Sequence, residues 1–192
     1  MSVALAYDTI LNPEDELREL IEGCIANSRS AQASLYKRFY PKMMAMVRRY
    51  FPEKDKADEI LNNGFLRAFQ KMDTFAFRGS FEGWLRRVIF TCIANYAEQN
   101  VSYSKHIQLV EKDEVITKDL ASGLFYDDLL KMVYDLPEKE RIVFNMYVFE
   151  EMSHKEIAKS IGLTEGTSKW YLSEARKHLK EKIVRHQLHF KK

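Results

Sequence analysis

Two short helical patterns that meet at a glycine limit the fold of this chain more than any other feature of its sequence. Ser153 and Glu156 have the spacing of a capping box, in which each side chain satisfies a free backbone donor at the start of a helix. Gly162 supplies a turn, because a residue without Cβ adopts a positive φ at little cost. Thr164 is then placed to cap a second helix that begins near Glu165. The pattern predicts a helix-turn-helix unit.

The second helix of this unit is predicted to have one apolar and one polar side. Apolar residues recur at helical spacing on the side that should face inward: Leu172, Ala175, Leu179 and Ile183. The opposite side and its flanks carry residues that suit contact with nucleic acid: Thr167, Lys169, Trp170, Tyr171, Ser173, Arg176 and Lys177. Ser168 falls on the inward side.

Charge separates this segment from the rest of the chain. From Lys169 onwards there are eight Lys or Arg and two Glu, a local surplus of six, whereas the whole chain has a net charge of +2. Helix pairs of this kind also occur in proteins that never contact DNA, and cations in a last helical turn can simply complement the helix dipole. An outward Trp170 beside the cations favours a helix that contacts phosphates and reaches bases in the major groove.

Composition indicates an all-α protein. The 192 residues include only seven Gly and four Pro, and apolar residues recur mostly at helical spacing. The length suits one large or two small domains. Cys24 and Cys92 are isolated in apolar stretches, which is typical of a reducing compartment. We see no signal peptide and no apolar run of membrane-spanning length, so we expect a cytoplasmic protein without membrane insertion.

The helical patterns predict two helical domains joined by a flexible linker. We expect a leader over residues 1–13, a first domain over 14–98, a linker over 99–122 and a second domain over 123–192 that contains the helix-turn-helix. The linker region has mixed, mildly acidic charge and no sustained periodicity.

A helix over about 56–72 has the clearest apolar face of the chain. Its opposite side carries Glu59, Asn62 and Asn63, one turn apart. Earlier in the chain, Pro41 is expected to bend or end a helix, because proline removes a backbone donor.

A short aromatic loop over residues 73–80 follows that helix and contains Phe75 and Phe77. The next helix is predicted to run from Phe81 to about Ala97.

Signatures of catalysis are missing from the sequence. There is no glycine-rich phosphate loop, no zinc-protease motif and no serine nucleophile elbow. His186 and His189 lie three residues apart, so one helical face could hold a metal ion with both of them. A solvated basic tail explains the two histidines more simply. We therefore expect no enzyme activity, no cofactor and no metal.

Three stretches together carry a family resemblance. In the second domain the motif runs through Leu136-Pro137, Arg141, Ser153, Glu156-Ile157, Gly162, Glu165-Gly166-Thr167, Leu172 and Arg176. In the first domain the stretches are 57–68 and 81–96. In this order they resemble the bacterial RNA polymerase sigma factors of the small, two-domain extracytoplasmic-function class. The resemblance covers roughly residues 14 to 187.

The resemblance implies a factor that directs core polymerase to promoters and helps to melt DNA. It implies contacts with the minus-thirty-five element from Thr167, Lys169, Trp170, Tyr171, Ser173, Arg176 and Lys177. It implies minus-ten and melting contacts from Phe75, Phe77, Arg78, Arg86 and Arg87, with base stacking on the two Phe rings. Trp84 is expected to pack in the core instead.

The partners that the resemblance implies are core RNA polymerase and promoter DNA. Glu59, Asn62 and Asn63 would bind the coiled coil of the β′ clamp, and the β flap is a further implied contact. The linker would run toward the polymerase active centre. The resemblance also allows for an anti-sigma protein as a partner.

The chain departs from the family pattern at three places. Asn63 lacks the usual charge, and Glu98 and its neighbours replace basic residues. In the second helix of the helix-turn-helix, Ser168 replaces an aliphatic residue and Trp170-Tyr171 replaces a small and a basic or amide residue. The last change means that the promoter sequence cannot be copied from relatives. Two rival functions stay open, namely a free-standing helix-turn-helix transcriptional regulator and a helical adaptor that mimics a sigma factor.

Overall fold

The computed structural model describes residues 12–101 and 126–189, and within these ranges it contains eight α-helices and no strand. The helices are Pro13–Ile25 (α1), Arg29–Tyr50 (α2), Lys54–Gln70 (α3), Phe81–Val101 (α4), Tyr126–Tyr134 (α5), Glu138–Val148 (α6), His154–Ile161 (α7) and Glu165–His189 (α8). The predicted all-α class is confirmed. Nearly all of the predicted leader and residues 102–122 of the predicted linker lie outside the described residues.

Helix α2 runs without interruption through Pro41, so the alternative that this proline ends the helix is wrong. Both Pro41 and Lys37, whose carbonyl loses its helical donor, lie on the exposed side of the helix. Water can donate a hydrogen bond to that carbonyl in place of the missing backbone amide. The proline therefore leaves no buried polar group unsatisfied, and the helix continues through it.

Helices α3 and α4 form the centre of the first half. They approach so closely at Gly64 that a Cβ there would lie 2.7 Å from Cγ1 of Ile89. The observed α3 starts and ends two residues before the predicted bounds, and α4 continues to Val101 instead of ending near Ala97. The first three residues of the predicted linker, 99–101, are therefore helical.

The second half consists of α5 to α8. A small cluster of buried apolar residues joins α5 to α8: Met132, Val133, Leu136, Ala175, Leu179 and Ile183. Most of the remaining buried apolar residues of this half belong to a second cluster, which continues into the first half: Ile142, Val143, Met146, Ile157, Ile161, Tyr171 and Leu172.

The two halves pack against each other, with α2 against α5 and α6, and α4 against α7. Polar groups cross the contact as well. The buried Arg141 donates from Nε to the carbonyl of Tyr50 at 2.8 Å and from Nη1 to the carbonyl of Leu136 at 2.6 Å. Asn145 donates from Nδ2 to the carbonyl of Arg49 at 2.8 Å. In this structure the halves share one hydrophobic core, which the prediction of linked domains did not include.

None of the helices within residues 12–101 and 126–189 is both long enough and apolar enough to span a bilayer.

Candidate nucleic-acid interface

The predicted capping box at the start of α7 is confirmed. Ser153 Oγ accepts a hydrogen bond from the Glu156 amide at 3.3 Å, and Glu156 Oε2 accepts from the Ser153 amide at 2.8 Å. The hydrogen bonds from Ser153 hold the pKa of Glu156 below its ordinary value, because they stabilise the carboxylate. Charge and capping therefore fix the start of the first helix of the unit.

The turn between α7 and α8 is also formed as predicted. Gly162 has a φ of 68°, in the left-handed region, and Thr164 Oγ1 accepts from the Thr167 amide at 3.1 Å. Ser168 is fully buried and its Oγ lies 2.9 Å from Nδ1 of His154. This hydrogen bond joins the first turn of α7 to the first turn of α8, which fixes the angle at which α8 is presented.

Helix α8 has the predicted inward face, since the whole stripe is buried: Leu172, Ala175, Leu179 and Ile183. On the outer side, Lys169 and Lys177 are exposed, and Lys177 Nζ lies 4.0 Å from a carboxylate oxygen of Glu174. The Arg176 guanidinium lies 5.6 Å from the centre of the Tyr147 ring. These cations are available to a phosphate backbone.

Two aromatic residues of α8 differ from the prediction. The outward placement of Tyr171 is wrong, because its side chain is only 4% exposed. Residue 171 lies one turn before Ala175, and its side chain belongs to the large buried cluster that also contains residues of α6, α7 and the first half. Trp170 is half-buried, with its ring 5.0 Å from that of Tyr171, and Thr167 and Ser173 are half-buried as well.

The aromatic loop after α3 likewise has one buried ring and one exposed ring. Phe75 is 6% exposed and packs 5.2 Å from the Phe81 ring and 5.7 Å from the Trp84 ring. The prediction that Phe75 offers its face to a base is therefore wrong, because the loop turns this side chain into the core. Trp84 packs against the core, as predicted, and stays partly exposed.

Phe77 is the exposed aromatic residue of the loop, with 37% of its surface accessible to solvent. Its φ is +54°, a conformation that a bulky residue rarely adopts and that tends to occur at functional sites. The Arg18 guanidinium lies 4.5 Å from the ring centre. Both residues line an open cavity of about 750 Å³, here called the loop cavity, together with Arg38, Lys42 and other residues of α1, α2 and the loop. Glu14 and Glu82 also line this cavity, and Arg38 and Lys42 are each paired with a glutamate. The exposed ring beside Arg18 is the feature that suits an unstacked base.

The three predicted arginines around the loop have different environments. Arg78 and Arg87 are exposed. Arg86 instead donates to a carboxylate oxygen of Glu150 at 3.3 Å, across the contact between the halves. Glu150 also lies 3.6 Å from Arg49, so Arg86 is held by the second half in this structure.

The polar side of α3 is exposed at all three predicted positions, Glu59, Asn62 and Asn63. Asn62 Oδ1 accepts from the Tyr36 hydroxyl at 3.0 Å. Leu66, which no sequence pattern singled out, is 55% exposed and lines a groove of about 380 Å³ with Glu59 and Asn63. Leu66 therefore adds one exposed apolar side chain to this polar face.

The sequence patterns also did not single out three cations near the predicted DNA-contacting residues: Arg18, Arg67 and Lys71. Arg67 lies inside a stretch that carries the family resemblance, but its neighbours in space come from α4. Only the tertiary structure brings these cations beside the predicted DNA-contacting residues.

Comparison of the sequence with known proteins identifies its family. A family model for sigma-70 region 2 matches residues 35–101, and a model for sigma-70, region 4, matches residues 126–179. Together they cover more than half of the chain, in the order and halves described above. The chain belongs to the sigma-70 family, in the class of extracytoplasmic-function RNA polymerase sigma factors.

Curated relatives agree with this family. The extracytoplasmic-function RNA polymerase sigma-E factor of Escherichia coli (strain K12) is 23% identical over 180 residues, which cover 85% of this chain and 92% of the relative. The protein of the same name from Haemophilus influenzae is 22% identical over 182 residues, which cover 85% and 93%.

Two solved structures are more distant. CnrH in complex with the cytosolic domain of CnrY matches with a TM-score of 0.45 and 16% identity, covering 89% of this chain and 99% of that one. The sigma factor RpoE in complex with the anti-sigma factor NepR from Bartonella quintana matches with a TM-score of 0.44 and 19% identity, covering 80% and 96%.

Proposed function

We propose that this chain directs core RNA polymerase to promoters by contacting two promoter elements with its two halves. The second half contacts the minus-thirty-five element, and the first half captures the melted minus-ten strand and binds the polymerase. Family membership and relatives that match along nearly their whole length support this function.

The observation that carries the proposal is the outer face of α8, which presents Lys169 and Lys177 from a helix fixed by two caps and a buried serine. Lys169, Arg176 and Lys177 would contact phosphates, while Thr167, Ser173 and the exposed part of Trp170 would reach base edges. Tyr171 supports this face from inside and takes no part in the contact.

In the first half, Phe77 is the residue that would stack on an unstacked base of the minus-ten strand. Its exposure, its positive φ and the adjacent loop cavity support this role. Arg78 and Arg87 would bind the backbone of that strand. Arg86 could join them only after its ion pair with Glu150 breaks.

The exposed side of α3 would bind the β′ clamp coiled coil through Glu59, Asn62 and Asn63, with Leu66 supplying apolar contact. The second half would also contact the β flap, as the family resemblance implies. Asn63 would contribute a hydrogen bond where a charge is usual.

In vitro transcription with purified core polymerase and a genomic library tests the proposal. We expect the full chain to form a complex with core polymerase on a sizing column and to start transcripts at a defined set of promoters. Lys169→Ala should weaken or shift the use of the upstream element, whereas Lys155→Ala, an exposed lysine of α7, serves as the matched control. The absence of both a core complex and promoter-dependent transcripts would refute the proposal.

A further inference from the structure

One carboxylate of the second half binds an arginine that the proposed function assigns to DNA. Arg86 Nη2 donates to Glu150 Oε2 at 3.3 Å, and Arg49 Nη2 lies 3.6 Å from Glu150 Oε1. The Tyr50 hydroxyl donates to the same Oε1 at 3.4 Å. A carboxylate and a phosphate accept hydrogen bonds from a guanidinium in a similar geometry. Glu150 therefore occupies the site on Arg86 that a DNA phosphate would take.

The other end of α4 contacts the turn of the helix-turn-helix. Glu98 lies against Gly162, where an added Cβ would be 3.4 Å from Glu98 Cγ. Glu98 is also one of the residues that replace the basic residues usual in the family. Two contacts thus hold α4 to the second half, Arg86 near its start and Glu98 near its end.

The packed arrangement of the halves is too small to contact both promoter elements. Positions minus ten and minus thirty-five are about 25 base pairs apart, which is about 85 Å along B-DNA. A packed body with as many residues as the structure describes is about 40 Å across. The halves must therefore separate before both contact a promoter. Residues 102–125 connect them, and a chain of this length can span up to about 80 Å.

The proposed polymerase-binding side of α3 lies beside the contact between the halves. Lys56 is one turn before Glu59, and its Nζ lies 3.2 Å from a carboxylate oxygen of Glu138 in the second half. Glu59, Asn62 and Asn63 are exposed while the halves are packed. The polymerase clamp can therefore reach α3 in the packed arrangement and would meet the second half at Lys56.

We propose that the contact between the halves is autoinhibitory. In the free chain Glu150 competes with DNA phosphate for Arg86, and binding of core polymerase to α3 separates the halves. When the binding-competent state is only partly populated, the apparent affinity falls by that fraction. The inference rests on the proposed function and deepens it, because it assigns to Glu150 the control of when Arg86 binds the melted strand.

The test compares two variants that remove the same charge at adjacent positions. Glu150→Gln removes the charge that holds both arginines and keeps the size of the side chain. Glu151→Gln is the matched control, because Glu151 is exposed. Binding of a short fluorescent single-stranded DNA of mixed sequence is measured by anisotropy, with each free chain and with each reconstituted holoenzyme.

The expected result is an effect of one variant in one form of the protein. In the free chain, Glu150→Gln should bind the DNA about tenfold more tightly than the wild type, and Glu151→Gln should stay within about twofold. In the holoenzyme the halves are already separated, so both variants should match the wild type. A general effect of charge would instead appear equally in both variants. Thermal unfolding checks that both variants are folded at the assay temperature.

A carbodiimide crosslink between Lys56 and Glu138 measures the packed arrangement itself. The reagent joins an amine to a carboxylate that lies in contact with it, and mass spectrometry of the digested chain quantifies the product. We expect the crosslink in the free wild type, less of it in free Glu150→Gln, and its loss when core polymerase binds. The ion pair of Lys42 and Glu82, at 2.6 Å within the first half, supplies an internal reference that should stay constant.

Two failures are distinguishable. If the wild-type chain forms no complex with core polymerase and starts no transcripts, the proposed function fails and this inference fails with it. If the wild-type holoenzyme is active, two results overturn only the inference. One is equal DNA affinity of the two free variants, and the other is a crosslink between Lys56 and Glu138 that persists in the active holoenzyme.

Discussion

The two halves of the protein bury their apolar residues in different ways. The first half packs α1 to α4 around its own core, whereas the second half divides its apolar residues between a small internal cluster and the core that it shares with the first half. The helix-turn-helix is therefore held from two sides, by α5 and α6 of its own half and by α4 of the other. The presentation of α8 therefore depends on residues far away in the sequence.

The largest expected effect comes from Arg141, which is 4% exposed and donates to the carbonyls of Tyr50, Tyr134 and Leu136. We expect Arg141→Ala to lower the free energy of unfolding by about 3 kcal/mol, because buried carbonyls lose a charged donor. Urea unfolding followed by circular dichroism measures the change. Lys139→Ala, on the same helix, is the control and should cost less than about 0.5 kcal/mol. Equal effects of the two variants would contradict the role of Arg141 in joining the halves.

A smaller effect is expected from Glu150, which bridges Arg49 and Arg86 of the first half. Its side chain is 17% exposed, so solvent screens these pairs only partly. Glu150→Gln should cost about 1–2 kcal/mol and should speed amide hydrogen exchange in the first turns of α4. The neighbouring exposed Glu151 supplies the control Glu151→Gln. Unchanged exchange in α4 would show that the ion pairs do not hold the halves together.

Local capping should contribute less than the contact between the halves. Ser153→Ala removes one side of the capping box of α7, and we expect a loss of about 1 kcal/mol. Ser160→Ala, near the end of the same helix, removes only a bond to the carbonyl of Ile157 and should have a smaller effect. If Ser153→Ala cost more than Arg141→Ala, the helix-turn-helix would depend mainly on its own caps.

The smallest expected effect is a pH dependence inside the second half. Burial raises the pKa of Glu140, although its hydrogen bond with His178 opposes that rise. A carboxyl whose pKa is raised by folding stabilises the protein below its unfolded pKa, and this contribution is lost as the pH rises through the folded pKa. The stability of the wild type relative to Glu140→Gln should therefore fall as the pH rises from below about 4.3, the unfolded value for Glu. Denaturant unfolding at several pH values measures it, and a constant difference would contradict the burial of the charge.

The sequence predicted those parts of the site that depend on near neighbours in the chain. The capping box, the positive φ of Gly162, the cap at Thr164 and the inward Ser168 were all found as expected, because each depends on residues within a few positions. Fold class followed from periodicity for the same reason.

The predictions that were wrong concern residues whose environment is set by contacts distant in the sequence. Helical spacing placed Tyr171 at the edge of the buried stripe, and only the covering helices decide that it is buried. Loop composition could not tell which ring, Phe75 or Phe77, would turn inward. The pairing of Arg86 with Glu150 joins residues from different halves, so no local pattern could reveal it.

Photo-crosslinking tests most directly whether the two halves contact different promoter elements. A photoreactive amino acid is placed at Lys169 or at Phe77, and each holoenzyme is bound to a promoter that the transcription assay has identified. We predict that residue 169 crosslinks to the upstream element and residue 77 to the melted strand near the start site. Crosslinks from both positions to the same element, or none from either position in a complex that initiates transcription, would contradict the proposed function.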